Sequence, residues 1–219
     1  MDWDWSWTRQ FSGELFTTGL KVTAEITLFG AIVAFTFGLV LALLRRSSTR
    51  WVSTPARWFI EFVRSTPLLV QLFFLFYVLP TIPLHIKLPA LTAGIIGLGV
   101  HYSCYTAEVY RAGIDGVPTG QWEAATALNL PRLRTWTSVV LPQAIRRSLP
   151  ALGNCLVAIF KESPQLSIIT VLDVVGRAQE LGSERFRYLE PLTVAGLFFL
   201  VLAIPSSIMI RRLERRLEY

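Results

Sequence analysis

Thr119-Gly120-Gln121-Trp122-Glu123-Ala124-Ala125-Thr126-Ala127-Leu128-Asn129 lies between Pro118 and Pro131, and between two long apolar runs. Prolines at both ends predict a short helix over about 118–130, because Pro opens a helix readily and cannot continue one. Thr119 is the expected N-cap, and Glu123 falls in the first turn, where the helix dipole favours a negative charge. Ala124, Ala125 and Ala127 give a slim surface that another protein can approach closely, while Trp122 and Leu128 offer apolar anchors. Asn129 is placed to end the helix, since Asn follows Gly in tolerating the left-handed conformation. A helix of about a dozen residues is marginal alone in water. Packing against a partner is therefore expected.

The sequence around this stretch reads as membrane protein. The 219 residues are 53% hydrophobic and 16% charged, with a mean hydropathy of +0.49, which leaves little polar surface for a soluble globule. Five segments approach the ~20 residues of a spanning helix: Leu20–Leu44, Phe59–Leu79, Leu88–Val109, Val139–Phe160 and Leu192–Ile210. The net charge of +6 sits in short clusters beside apolar runs, which argues for cytoplasmic membrane ends and against nucleic acid. Arg45, Arg46, Arg50, Arg57 and Arg64 follow the first span, Arg111, Arg132, Arg134, Arg146 and Arg147 flank the third and fourth, and Arg211, Arg212, Arg215 and Arg216 follow the fifth. The predicted fold is thus all-α, a single domain over 1–219 with five transmembrane helices, the N-terminus outside and the C-terminus cytoplasmic. Trp3, Trp5 and Trp7 read as an outer interfacial belt, Trp51 and Trp58 as an inner one. Met1 to Ser12 is acidic and Trp-rich, so no cleavable signal is expected there. Cys104 and Cys155 lack paired spacing and read as small buried side chains, with no metal site or disulfide.

Four polar features fall inside or beside these spans. In Arg64-Ser65-Thr66-Pro67-Leu68-Leu69-Val70-Gln71 the proline removes a backbone donor and frees a carbonyl one turn earlier, making Thr66, Pro67 and Gln71 candidates for a solute pathway. A proline kink packed by neighbouring helices is the other reading. The fourth span holds Arg146, Arg147, Pro150, Gly153, Asn154 and Cys155 and is expected to face the interior, because that many polar groups cannot all meet lipid. Lys161-Glu162-Ser163 ends it. Opposite charges there are costly unless paired or solvated, and an ammonium beside a carboxylate suits a zwitterion. Glu108 and Arg111 are expected to form a structural ion pair.

Glu123-Ala124-Ala125, Asn129, Val139, Leu141 and Pro142 resemble the EAA loop of bacterial ABC importer permeases: EAA, three residues, Gly, nine residues, I-x-L-P. Every spacing fits, with Asn129 for Gly and Val139 for Ile. The segment Glu61 to Gln71 resembles the R-G-T-P-L-L-V-Q stretch of the polar amino-acid branch, with Ser65 for Gly. Tyr105-Thr106-Ala107-Glu108 with Arg111-Ala112-Gly113-Ile114 is similar to A-Y-x-A-E-x-x-R-G-x-I. Lys161-Glu162-Ser163 stands where the family has K-D-T. The resemblance implies a type I ABC importer permease fold. It also implies a coupling helix whose Trp122, Glu123, Ala124, Ala125, Leu128 and Asn129 dock on a separate ATPase dimer, where ATP and Mg are bound. This chain itself would hold no cofactor.

Further partners implied are a second permease subunit, identical or homologous, and an extracytoplasmic solute-binding protein, all at the bacterial inner membrane. In basic amino-acid permeases of the branch the position matching Cys155 carries Glu, so its absence here argues against a cationic cargo. Met1 to Trp5, Gly120 to Glu123, Phe186 to Pro191 and Arg211 to Leu217 look like ectoine/hydroxyectoine permease subunits, which makes an ectoine the leading expected solute and a glutamine/glutamate-type amino acid the alternative. No G-x-x-x-x-G-K-[ST] phosphate loop occurs, so the chain is not expected to be an enzyme. A secondary transporter would need an intramembrane ion relay and usually more spans. A membrane scaffold would show no solute-stimulated ATP turnover.

Overall fold

The computed structural model describes residues 3–83 and 86–217. Met1 and Asp2, the middle of the Pro80–Pro89 loop, and Glu218 with Tyr219 lie outside that range. Among the described residues only helices and their connections occur. α1 is Trp5–Arg45, α2 Arg50–Arg64, α3 Leu68–Thr81, α4 Ala90–Asp115, α5 Thr119–Ala127, α6 Arg132–Ile169, α7 Val174–Arg185 and α8 Leu189–Leu217.

The five expected spans survive unevenly. α1 begins well before Leu20, because its first turns have their own core: Trp7, Phe11 and Leu15 pack with Val174, Ala178 and Leu181 of α7 and Ala195 of α8. Trp7 is therefore an internal residue and not part of an interfacial belt, whereas Trp5 is exposed. The second span, expected as one helix from Phe59 to Leu79, is instead α2 and α3 meeting at 104°. Pro67 accounts for the break, since it cannot donate a backbone hydrogen bond and disfavours helical geometry at the residue before it. Of the described helices, α1 and α8 are long and apolar enough to cross a membrane alone, and the α2–α3 and α6–α7 pairs qualify only as bent pairs. α4, the expected third span, has 26 residues but trades apolarity for packing. Its His101, Ser103 and Thr106 are buried in protein.

α1 and α4 share the largest interface of the fold. They approach closely because small residues line the seam. A Cβ on Gly38 would lie 1.9 Å from Thr106 Oγ1 and 2.7 Å from the Ser103 carbonyl, and the Thr106 hydroxyl donates across the seam to the Ala34 carbonyl at 2.7 Å. Small residues that admit a neighbouring backbone are how helices associate where lipid supplies no hydrophobic drive. The main core joins Ile26, Ala31 and Ala34 of α1 with Leu72 of α3, Leu98 of α4, and Ile159, Leu166 and Ile169 of α6.

Charge is concentrated at the end of the bundle that bears α5. Arg45 pairs with Glu108 and lies 3.9 Å from Glu61, Arg46 pairs with Asp115, and Arg111 contacts both Glu108 and Asp115 at 2.9 Å. The expected Glu108–Arg111 pair is thus present, inside a six-residue lattice that ties α1, α2 and α4. At the opposite end Arg177 pairs with Glu14 and Glu180.

Candidate functional site

α5 begins where Pro118 takes an extended ψ of 139°, and Thr119 is its first helical residue, not its cap. Glu123 consequently falls in the second turn, where the dipole does little for it. The other end closes as the sequence predicts. Asn129 has φ 51°, its N–H donates to the Thr126 carbonyl, and the Leu130 N–H donates back to Ala125. Those two bonds form a Schellman ending, which a left-handed residue makes possible.

The faces of α5 divide the expected docking residues. Glu123, Ala124, Leu128 and Asn129 are exposed, Leu128 at 72%. Ala125 is buried at 3% exposure, and Trp122 packs edge-on against Trp136 at 5.3 Å, beside Ile114, Val117, Val140 and Ala144. Trp122 and Ala125 therefore seat the helix on its own chain, and only the outer face is available to another protein. Gln143 extends the seat with a 3.2 Å hydrogen bond to Gln121.

At the α2–α3 break the expected free carbonyls are occupied. The Gln71 amide donates to the carbonyls of Val63 (2.8 Å) and Thr66 (3.2 Å) and to the Thr66 hydroxyl (2.7 Å). Thr66 in turn donates to Phe62 and Val63. Thr66, Pro67 and Gln71 thus form a clasp that satisfies a helix end interrupted by proline. The Gln71 oxygen is left to face His101 Nδ1 at 3.1 Å. That contact requires the proton on Nδ1.

The residues at the end of α6 point in different directions, since neighbours on a helix diverge by about 100°. Glu162 turns to the Tyr102 hydroxyl of α4, near Cys155. Lys161 lines a groove of about 440 Å³ against Phe199, Leu200, Ala203 and Arg211 of α8 and has no ion-pair partner among the described residues. The side-by-side pair expected for a zwitterion is not formed. Ser163 is fully buried and donates to Asp173 at 3.4 Å, whose other oxygen caps α7 at Gly176. Asn154 lies on yet another face, in a cleft of about 580 Å³ with Arg146, Arg147, Pro150 and Glu214. Cys104 is a free thiol buried in the core as expected, whereas Cys155 is a free thiol only half-buried against it.

What the structure does bring together is a polar aromatic cluster that sequence reasoning missed. The rings of His101, Tyr102 and Tyr105 lie 5.2–5.7 Å apart. The Arg64 guanidinium sits 5.3 Å over Tyr105, and Glu162 approaches from α6. The signal in the sequence is His101-Tyr102-Ser103-Cys104-Tyr105, an unusually polar run within an otherwise apolar helix.

Residues 34–219 match the family described as "Binding-protein-dependent transport system inner membrane component". The chain belongs to that family. This inner membrane component is 48% identical to a probable amino-acid ABC transporter permease protein of Sinorhizobium fredii over 88% of the chain and 83% of the relative. It is 34% identical to the arginine transport system permease protein of Bacillus subtilis, with 91% of each chain covered. Among solved structures it resembles an amino acid ABC transporter crystallised with histidines, at a TM-score of 0.92 and 35% identity over 99% of this chain and 100% of that one. An inward-facing MetNI methionine ABC transporter chain matches at a TM-score of 0.73 and 18% identity, over 94% and 97% of the two chains. The fold is thus that of a type I ABC importer permease. None of these relatives bears a name that points to ectoine.

Proposed function

We propose that the chain is one half of the translocation pathway of a bacterial ABC importer for a polar amino acid, coupled to ATP hydrolysis on a partner ATPase dimer. The observation that carries this reading is α5: a helix seated on its own chain by Trp122 and Ala125 that presents Glu123, Ala124 and Leu128 outward. Such a surface transmits motion from a docked ATPase to the bundle because its inner face is fixed. The relatives named for amino acids support the cargo class over an ectoine. We read the chain as five crossings, the second and fourth bent, and the arginine clusters beside α5 support a cytoplasmic position for that end by the positive-inside rule. A second permease subunit completes the pathway, and an extracytoplasmic binding protein delivers the solute.

Arg64 and Glu162, on either side of Tyr102 and Tyr105, replace Lys161 and Glu162 as the groups suited to a zwitterion. The guanidinium receives a carboxylate, the carboxylate an ammonium, and the tyrosine hydroxyls supply further donors. ATP hydrolysis by the reconstituted complex with its binding protein, challenged in turn with glutamine, glutamate, arginine, histidine and ectoine, tests the reading. Stimulation by an amino acid and not by ectoine is expected. Stimulation by ectoine alone restores the first expectation, and solute movement without any ATPase refutes the ABC assignment.

A further inference from the structure

α2 has three faces, and packing within the chain buries only one. Ala56, Ile60 and Val63 are buried, and Ile60 and Val63 pack with Leu41 and Ala42 of α1 and Cys104 and Ala107 of α4. A second stripe, Trp51, Pro55, Trp58 and Phe62, follows i, i+4, i+7, i+11 spacing, and its aromatic members are 91%, 72% and 66% exposed. Arg50, Thr54, Arg57 and Glu61 form the third. At about 100° per residue the two apolar stripes fill one half of the helix and the polar stripe the other. Glu61 faces Arg45, whereas Arg50 and Arg57 have no ion-pair partner among the described residues. No carboxylate occurs from Arg50 to Ile60.

The 104° turn into α3 lays this helix across the bundle, level with the last turns of α1 through the Phe37–Phe59 and Arg45–Glu61 contacts. An amphipathic helix with tryptophans on the apolar side and unpaired arginines on the other, held crosswise at the end of a span, matches the chemistry of an anionic membrane surface. We propose that α2 lies in the cytoplasmic membrane interface and binds anionic phospholipid headgroups through Arg50 and Arg57, with Trp51, Trp58 and Phe62 among the upper acyl chains. This rests on the membrane orientation given under the proposed function. Its consequence is that the α2–α3 clasp, through Gln71, links the lipid surface to His101 in the polar aromatic cluster.

The test uses the full chain in bilayers of phosphatidylcholine and phosphatidylglycerol. Tryptophan fluorescence is quenched by lipids brominated high or low on the acyl chain, and the Trp51→Phe/Trp58→Phe variant isolates the share of α2. Stronger quenching of that share by the shallow bromines is expected. Arg50→Gln/Arg57→Gln, which alters only exposed side chains, should weaken phosphatidylglycerol retention by about 30-fold, from roughly fivefold per interfacial arginine, with phosphatidylcholine retention unchanged. Equal retention of both lipids by the variant, or no lipid quenching of the α2 tryptophans, overturns the proposal. So does cross-linking between two chains through cysteines at 51 or 58 without lipid quenching, which gives the face to a second copy. Extraction of the wild-type chain by carbonate overturns the membrane reading itself. Retention in the membrane without quenching overturns only the role of α2.

Discussion

Trp122→Ala removes the ring that holds α5 on the bundle. That ring meets Trp136 edge-on at 5.3 Å and fills a cluster with Ile114, Val117, Val140 and Ala144. Truncating a buried Trp costs about 3–5 kcal/mol. Trp122 is only partly covered, which places it near the lower end, at about 3 kcal/mol, with about 0.5–1.5 kcal/mol of that in the ring pair. A nine-residue helix does not hold itself in water once undocked, so the loss appears locally. Hydrogen exchange at the α5 amides should accelerate by about 100-fold, at one decade per 1.4 kcal/mol, while buried amides of α4 keep their protection. Solute-stimulated ATP hydrolysis should fall with it. Leu128→Ala is the counterpart on the outer face: it should weaken coupling and leave α5 exchange unchanged, because Leu128 touches little of its own chain. Exchange in Trp122→Ala within twofold of wild type would refute the assignment of Trp122 as the seat.

Three further outcomes are expected. Gln71→Leu should lower stability by about 1–3 kcal/mol, the cost of leaving buried carbonyls without a donor, read as a drop in thermal midpoint in detergent that Thr66→Val only partly reproduces. Asn129→Gly should be neutral or mildly stabilising, whereas Asn129→Val should cost about 1–2 kcal/mol, because a β-branched residue fits φ 51° poorly; equal melting of the two variants would show that the left-handed ending is not needed. Single cysteines at Ser48 and Gly120 should be shielded from an impermeant thiol reagent added outside intact cells and one at Ser183 should react, with the reverse pattern inverting the topology.

The helix over 118–130 and its left-handed stop at Asn129 were legible in the sequence, because proline punctuation and the tolerance of Asn for positive φ act within a few residues. The Glu108–Arg111 pair was legible for the same reason, being i, i+3 on one helix. Apolar length alone marked out α1 and α8. The proposed coupling surface was only half legible. Spacing identified Trp122 to Asn129 as a unit, but burial of Trp122 and Ala125 depends on Trp136 and Ala144, which belong to the next helix.

Tertiary structure decided the rest. Pro67 announced a kink, yet the 104° angle follows from where α2 finds apolar cover on α1 and α4, and Gln71 stabilises the break by bonds to residues five and eight positions earlier. Lys161 and Glu162 are adjacent in sequence and part in space, because helix geometry sends one to α8 and the other to Tyr102. The cluster of Arg64, His101, Tyr102, Tyr105 and Glu162 draws on three helices far apart in the chain. Local rules set where the chain turns and which neighbours on one helix pair, and the packing of long-range neighbours sets which side chains of different helices meet.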